Sequence, residues 1–158
     1  MAVLNNDMAM CIKGIESDFP VRLSISPGKL SPLHAGATAR VLMAYLPPEE
    51  QDRIIEKGLK RMTENTIIDP FELKRSFEEI KKNGFAYSDQ ELDSGARAIG
   101  TPVFNFFGEV IASLSIAGPI HRFTDRTVAD HKDLVIDCAQ RISAALRHGC
   151  EDMYRQRA

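Results

Sequence analysis

Little in this chain of 158 residues advertises chemistry, and each shortage excludes something. No stretch approaches the roughly 18 consecutive apolar residues of a membrane span, and the start of the chain lacks the basic and apolar regions of a secretory signal. No membrane partner is expected, and the expected compartment is the cytoplasm. Neither sign of charge is in excess: 20 Lys and Arg stand against 22 Asp and Glu, a net charge of -2. Without a basic footprint, tight binding of DNA by this chain alone is not expected. Cysteine is scarce and odd in number. Cys11, Cys138 and Cys150 lie far apart, which argues against a disulfide framework and fits a reducing compartment. The histidines, His34, His121, His131 and His148, form no HxxxH or HExxH pair, and no two cysteines sit at CxxC spacing, so no metal site is readable. Walker A, GxGxxG and GxSxG motifs are also missing, so no cofactor is expected and a catalytic reading has no positive support.

What is present is an ordinary globular composition, 44% hydrophobic and 27% charged, in a length that suits one domain with a proper core. Val3 and Leu4 lead through the turn-forming Asn5, Asn6 and Asp7 into an apolar run from Met8 to Ile15, the pattern of an early hairpin. So short a first strand suggests that the chain begins inside or at the edge of a domain. Val21, Leu23 and Ile25 alternate with Arg22, Ser24 and Ser26, which predicts a half-buried strand ended by Pro27 and Gly28. From His34 to Leu46 the residues are apolar nearly all round, predicting a covered helix whose first turn, Ala35, Gly36 and Ala37, is unusually small. Small residues there admit either a closely packed strand or a ligand at the free N–H groups of the helix start.

Pro47, Pro48, Glu49 and Glu50 start a second helix reaching about Gly58, since proline and acidic residues suit a first turn. Asp69 as N-cap and Pro70 at the first helical position open a third, which stops at Asn83 and Gly84. Phe85 to Glu91 reads as a strand, Leu92 to Gly95 as a turn, and two more strands follow around the short connection Asn105 to Gly108. Pro102 marks its strand as an edge or a bulged one. Thr124 or Asp125 caps a last helix to about His148, with Val128, Val135, Cys138, Ile142 and Ala145 on its buried stripe. Segregated blocks of strands and helices mean an α+β fold with an antiparallel sheet.

The stretch from Arg97 to Gly118 is the most informative. Ala98 and Gly100 share one face of the first strand, and Ser113, Ser115 and Ala117 one face of the second, while Ile99, Val103, Val110, Leu114 and Ile116 load the opposite faces. If the small faces coincide, the sheet has a hollow floor carrying hydroxyls, suited to a small polar ligand. The alternative is a helix packed close against small residues, because native interiors tolerate few voids.

Several segments then carry a resemblance. Ser31-Pro32-Leu33-His34-Ala35-Gly36-Ala37-Thr38-Ala39-Arg40-Val41-Leu42, Thr63-Glu64-Asn65-Thr66-Ile67, Gly84-Phe85-Ala86-Tyr87, Gly95-Ala96-Arg97-Ala98-Ile99-Gly100-Thr101-Pro102-Val103 and Leu114-Ser115-Ile116-Ala117-Gly118-Pro119 resemble the C-terminal effector-binding domain of IclR-family bacterial transcription regulators. The resemblance implies a GAF-like or PAS-like α+β domain, an antiparallel sheet with helices packed on it around a pocket for a small metabolite. Family ligands of this kind are often carboxylates such as oxo acids, aromatic acids or sugar-acid derivatives. Residues 1–150 would form this domain and 151–158 a charged tail, with the winged helix-turn-helix of the longer regulators not within this chain.

Transferred residue by residue, the family's main-chain contacts at the helix start fall on Gly36 and Ala37, its polar loop position on Ser88 next to Asp89, and a polar or thiol position on Ala98. The strand hydroxyl pair becomes Ser115 and Ala117, so one hydroxyl is lost. These departures imply a roomier, less polar site, for an aromatic or sugar-derived acid rather than glyoxylate or pyruvate. Arg97, on the face opposite Ala98, reads as a structural or interface residue. The resemblance also implies a homodimer or homotetramer that couples effector binding to subunit arrangement, and DNA contact only through the domain outside this chain. Phe106 and Phe107 either supply an interface or fold back onto the domain. Two readings of another class stand beside this one: a free-standing GAF-like enzyme using Cys11 or Cys138, whose apolar settings both look inert, and a sensory module of a kinase or cyclase.

Overall fold

The computed structural model describes residues 1–24 and 26–155, apart from the side chains of 148–155. The elements run β1 (Ala2–Asn5), β2 (Met8–Cys11), β3 (Leu30–Pro32), α1 (Ala37–Ala44), α2 (Pro48–Glu56), α3 (Pro70–Asn83), β4 (Ala86–Asp89), β5 (Ala96–Phe104), β6 (Val110–Pro119) and α4 (Asp125–Arg155). The strands form one antiparallel sheet in the order β3-β2-β1-β6-β5-β4. Its α+β architecture and block order are those expected from the sequence.

Helix α1 lies on one face of the sheet with α3 packed outside it, and α4 crosses β5 and β6 on the other face. The core between α1 and the sheet includes Leu33, Val41, Met43, Leu73 and Phe77, all nearly inaccessible to solvent. As its all-round apolar pattern requires, α1 buries seven of its eight residues, Ala37 and Ala39 to Ala44. It is shorter than His34 to Leu46 because Gly36 holds φ at 83°, outside the helical region, and Tyr45 already caps the other end onto Met43 O. The Gln51 amide nitrogen lies 3.0–3.1 Å from the carbonyls of Met43, Ala44 and Leu46, supplying donors to the helix end. In α3, Asp69 accepts from Glu72 N–H, Pro70 follows, and Gly84 closes the helix at φ 76°.

Four local expectations change. The strand expected at Val21 to Ser26 is irregular chain, with Val21 63% exposed and Ile25 outside the described residues. Alternation alone does not make a strand: the place beside β2 is taken by β3, and residues 21–26 pair with no strand. Val110 does not share the face of Leu114. Val103 pairs with Ala112 but Phe104 with Val110, so Ile111 is an extra residue and the side chains before it change face. Val110 therefore packs on the α1 side, where Phe104 meets Tyr45 edge to face. Pro102 sits just before this bulge and beyond the end of β4, which pairs only as far as Gly100, so its missing N–H costs no ladder bond.

The buried stripe of α4 is also rotated from the expected one. Val135, Ala139 and Ser143 are buried, whereas Cys138 and Ala145 are exposed. Ser143 belongs to the core because its hydroxyl accepts the Phe104 N–H at 2.9 Å and donates to Ala139 O at 2.8 Å. Finally, α4 is capped by Thr124, whose Oγ1 accepts from Thr127 N–H, and runs past His148 to Arg155. The expected tail from residue 151 thus starts as helix. His148 and Cys150 lie outside the described side chains.

Candidate functional site

Strands β5 and β6 pair with Ala98 opposite Ala117, Gly100 opposite Ser115 and Pro102 opposite Ser113, so the small faces do coincide. Two different things fill the space above them. Over Gly100 the first turn of α1 packs directly: a Cβ there would stand 2.8 Å from Ala37 O and 3.0 Å from Thr38 N. Ser113, beneath the same helix, is fully buried and its Oγ has no hydrogen-bond partner. Close packing is thus correct for Gly100 and Ser113. Over Ala98, Ser115 and Ala117 there is instead a cavity of about 360 Å3, closed by α1 and by the irregular chain after β2.

Of the residues singled out from the sequence, Gly36, Ala37, Ser88, Ala98, Ser115 and Ala117 border this cavity. Asp89 does not. Its carboxylate is held by Arg97, with Nε 3.0 Å from Oδ1 and Nη2 2.9 Å from Oδ2, and that guanidinium keeps the carboxyl below its ordinary pKa. Arg97 also donates to Phe123 O and pairs with Asp125 at 3.1 Å, tying β4 and β5 to the start of α4. Its role here is structural.

The first-turn N–H groups of α1 have no carbonyl a turn earlier to bond, and Ala37, Thr38 and Ala39 all line the cavity. Ser88 is 3% exposed, lines the opposite wall, and its hydroxyl has no protein partner among the described residues. Donors thus border a chamber whose floor is small and largely apolar, an arrangement that can hold a small anion with an apolar body.

One part of this architecture has no role assigned from the sequence. Arg40, in the middle of the apolar α1, is buried against Glu91, Nη1 to Oε2 2.6 Å, and its Nη2 donates to Tyr87 O. Glu91 Oε2 also accepts the Gly36 N–H at 3.3 Å. Burial pushes the Glu91 carboxyl above its ordinary pKa, opposed by Arg40 and Gly36. The segment carrying Glu91 is pinned by the Thr63-Glu64-Asn65-Thr66 turn. Thr63 Oγ1 donates to Gln90 O at 2.6 Å, Thr66 Oγ1 to Glu91 O at 2.7 Å, and the Asn65 amide to Asp89 O at 3.1 Å. This turn, the β4–β5 loop and the start of α1 form one hydrogen-bonded frame around one end of the cavity. The available signal was a single arginine inside a helix that is otherwise apolar.

Elsewhere the residues with potential chemistry are committed or scattered. His34 is buried with Nε2 2.9 Å from Lys60 O, and His131 has Nδ1 2.8 Å from Thr127 O, while the exposed Cys138 makes no pair with it. Cys11 is half-buried beside the cavity. A second cleft of about 440 Å3, where the end of α3 meets β5 and α4, includes none of the expected site residues.

A half-closed chamber between a curled antiparallel sheet and a helix start defines an α+β small-ligand domain. The particular family follows from comparison: the model for the family described as "Bacterial transcriptional regulator IclR C-terminal" matches residues 1–144, and the chain belongs to that family. It is 31% identical over 144 residues, 90% of this chain and 52% of the relative, to the HTH-type transcriptional regulator BhcR of Paracoccus denitrificans. A solved transcriptional regulator from Rhodococcus superposes with a TM-score of 0.88 at 27% identity, covering 93% of this chain and 61% of that one. The PobR inducer-binding domain from Acinetobacter, solved as a double mutant with 3-hydroxybenzoic acid, gives 0.77 at 28% identity, covering 92% and 85%. The chain spans about half the length of the curated relatives it matches. Those relatives are named regulators and repressors of transcription, and the family match gives no support to the enzyme and kinase-module alternatives.

Proposed function

We propose that residues 1–150 form the metabolite sensor of a cytoplasmic transcription regulator, and that the cavity between α1, β5 and β6 takes an organic acid. Gly36 and Ala37 would meet the carboxylate, Ser88 and Ser115 would hydrogen-bond it, and Ala98 and Ala117 would leave room for an aromatic or sugar-derived body. The single observation carrying this is that the free first-turn N–H groups and the buried residue Ser88, whose hydroxyl has no protein partner among the described residues, border one 360 Å3 chamber. A 3-hydroxybenzoate ligand in the PobR domain supports an acid of this size.

In a protein that carries a winged helix-turn-helix ahead of these residues, bound acid would select one arrangement of a homodimer or homotetramer and so set the spacing of the DNA-binding domains. Only differential affinity for two arrangements can do this. Phe106 and Phe107 sit on the β5–β6 hairpin, 42% and 71% exposed and packed edge to face against each other, and would supply part of a subunit contact. The test is a thermal-shift screen with benzoates, hydroxybenzoates and sugar acids. A ligand at about 100 times its Kd stabilises by about 2.7 kcal/mol, several degrees for a domain of this size. Ser115→Leu should remove the shift. An unshifted protein across the panel, or a shift retained in Ser115→Leu, overturns the assignment.

A further inference from the structure

The cavity has a second end, which is cationic. Past β2 the pairing ends in a glycine bulge: Cys11 N–H donates to Lys29 O at 2.9 Å and Cys11 O accepts from Gly28 N–H at 2.7 Å, with Gly28 at φ 85°, so Gly28 and Lys29 together lie across from Cys11. Side chains alternate, so Cys11 and Lys29 share the sheet face of Ala9 and Ser31. That is the cavity face, which Lys13 also borders. Neither the Lys13 nor the Lys29 ammonium has an ion-pair or hydrogen-bond partner among the described residues; Lys57, Lys74, Lys81 and Lys132 each meet a carboxylate, and of the four lysines that do not, Lys13 and Lys29 are the two that border this cavity.

The other charges around the chamber do not answer these lysines. Glu91 is taken by Arg40, and Asp89 by Arg97. The one carboxylate lining the cavity is Asp93, in the loop between β4 and β5, across the sheet from the lysines. Two exposed lysines therefore border one end of the chamber, and the N–H groups of α1 with Ser88 border the other. In the order β2-β1-β6-β5, the lysine wall and the strand pair under α1 are two steps apart at the nearest, about 10 Å on the sheet. The lysine stems shorten that distance.

We propose that the cavity is built for an elongated acid with an anionic group at each end, one at the first turn of α1 and one between Lys13 and Lys29. The second group is a carboxylate or a phosphate. This rests on reading the cavity as an organic-acid site, and it adds the charge count and length of the ligand.

The experiment is calorimetric titration of the whole chain with shape-matched probes: terephthalate and 4-phosphonobenzoate against 4-methylbenzoate, and hexanedioate against hexanoate. The dianions should bind about fivefold or more tighter than their monoanionic partners, the scale expected of two solvent-exposed charge pairs, and the gap should narrow with added salt. The exposed double variant Lys13→Gln, Lys29→Gln should lose that preference while keeping its affinity for 4-methylbenzoate. The terephthalate and phosphonate arms tell which second group is favoured. Equal binding of dianion and monoanion, or a preference that survives in the double variant, overturns this proposal and leaves the organic-acid site standing. Failure of every probe, monoanions included, removes the organic-acid site and this proposal together.

Discussion

Gly100→Ala should disturb both the stability of the domain and the geometry of its cavity. The added methyl carbon would stand 2.8 Å from Ala37 O, 2.9 Å from Ala37 C and 3.0 Å from Thr38 N, all backbone atoms of the α1 first turn. No flexible side chain can swing aside, so the helix start must retreat by about 0.6 Å, the difference between 2.8 Å and the 3.4 Å at which ordinary contact begins. Overpacking of this kind costs about 1–3 kcal/mol, and replacing glycine returns about 0.4–1 kcal/mol through the unfolded chain. The net loss is about 1–2 kcal/mol, a fall in Tm of about 2–8 °C for a domain of this length. Differential scanning calorimetry reads that loss. The same samples should show a smaller acid-induced shift, because the N–H groups of Ala37 to Ala39 have moved. Gly118→Ala is the internal control: its nearest neighbour is the Phe123 ring at 3.2 Å, a side chain that can give way. If Gly100→Ala is as stable as the parent, the direct seating of α1 on β5 is wrong.

Arg40→Met leaves Glu91 buried without its cation, and should cost about 3–5 kcal/mol in denaturant unfolding; a loss under about 1 kcal/mol would show that the pair does not hold the frame. Gln51→Leu strips a donor from the carbonyls at the end of α1 and should cost about 1–3 kcal/mol by the same measurement. Asp89→Asn tests a titration. Arg97 lowers the Asp89 pKa in the folded state, so that carboxylate stabilises the domain above its ordinary value of 3.8 and the stabilisation is lost as pH falls through the lower folded-state value. The variant should be less stable than the parent at pH 7 by up to about 1 kcal/mol, with the gap closing below pH 3.8, and a pH-independent gap would contradict the pairing. Phe107→Ser should weaken self-association in sedimentation without lowering stability, since its ring is largely in solvent.

The parts of the fold visible in the sequence are those whose determinants are local. Asp69-Pro70 and Asn83-Gly84 mark the ends of α3 because capping chemistry is written in adjacent residues. The small face shared by β5 and β6 follows from alternation alone. Where the reading fails, a distant partner decides. Val21 to Ser26 has the alternation of a strand but pairs with none, the place beside β2 being held by β3, and Ile111 turns Val110 to the other face through a bulge that composition does not show. Cys138 looked buried because Ser143, a polar residue, was not counted toward the stripe, although the Phe104 N–H requires it. The site divides in the same way. Gly36, Ala37, Ala98, Ser115 and Ala117 could be found from size and spacing, whereas the Arg40–Glu91 pair and the Thr63 and Thr66 bonds join segments far apart in sequence. Lys29 comes to the cavity through its bond to Cys11 beyond the β2–β3 pairing, and Lys13 through the chain after β2 that bonds Met1 O.

The most direct test of an anion held at the start of α1 is amide NMR during titration with 3-hydroxybenzoate. The account predicts that the N–H signals of Ala37, Thr38 and Ala39 move most, with Ala98, Ser88 and Ser115 following and Ala139 on the α4 face unmoved. Movement centred instead on the Phe106–Phe107 tip or on the cleft beside Lys82 and Gly84, with the α1 amides unchanged, would contradict it.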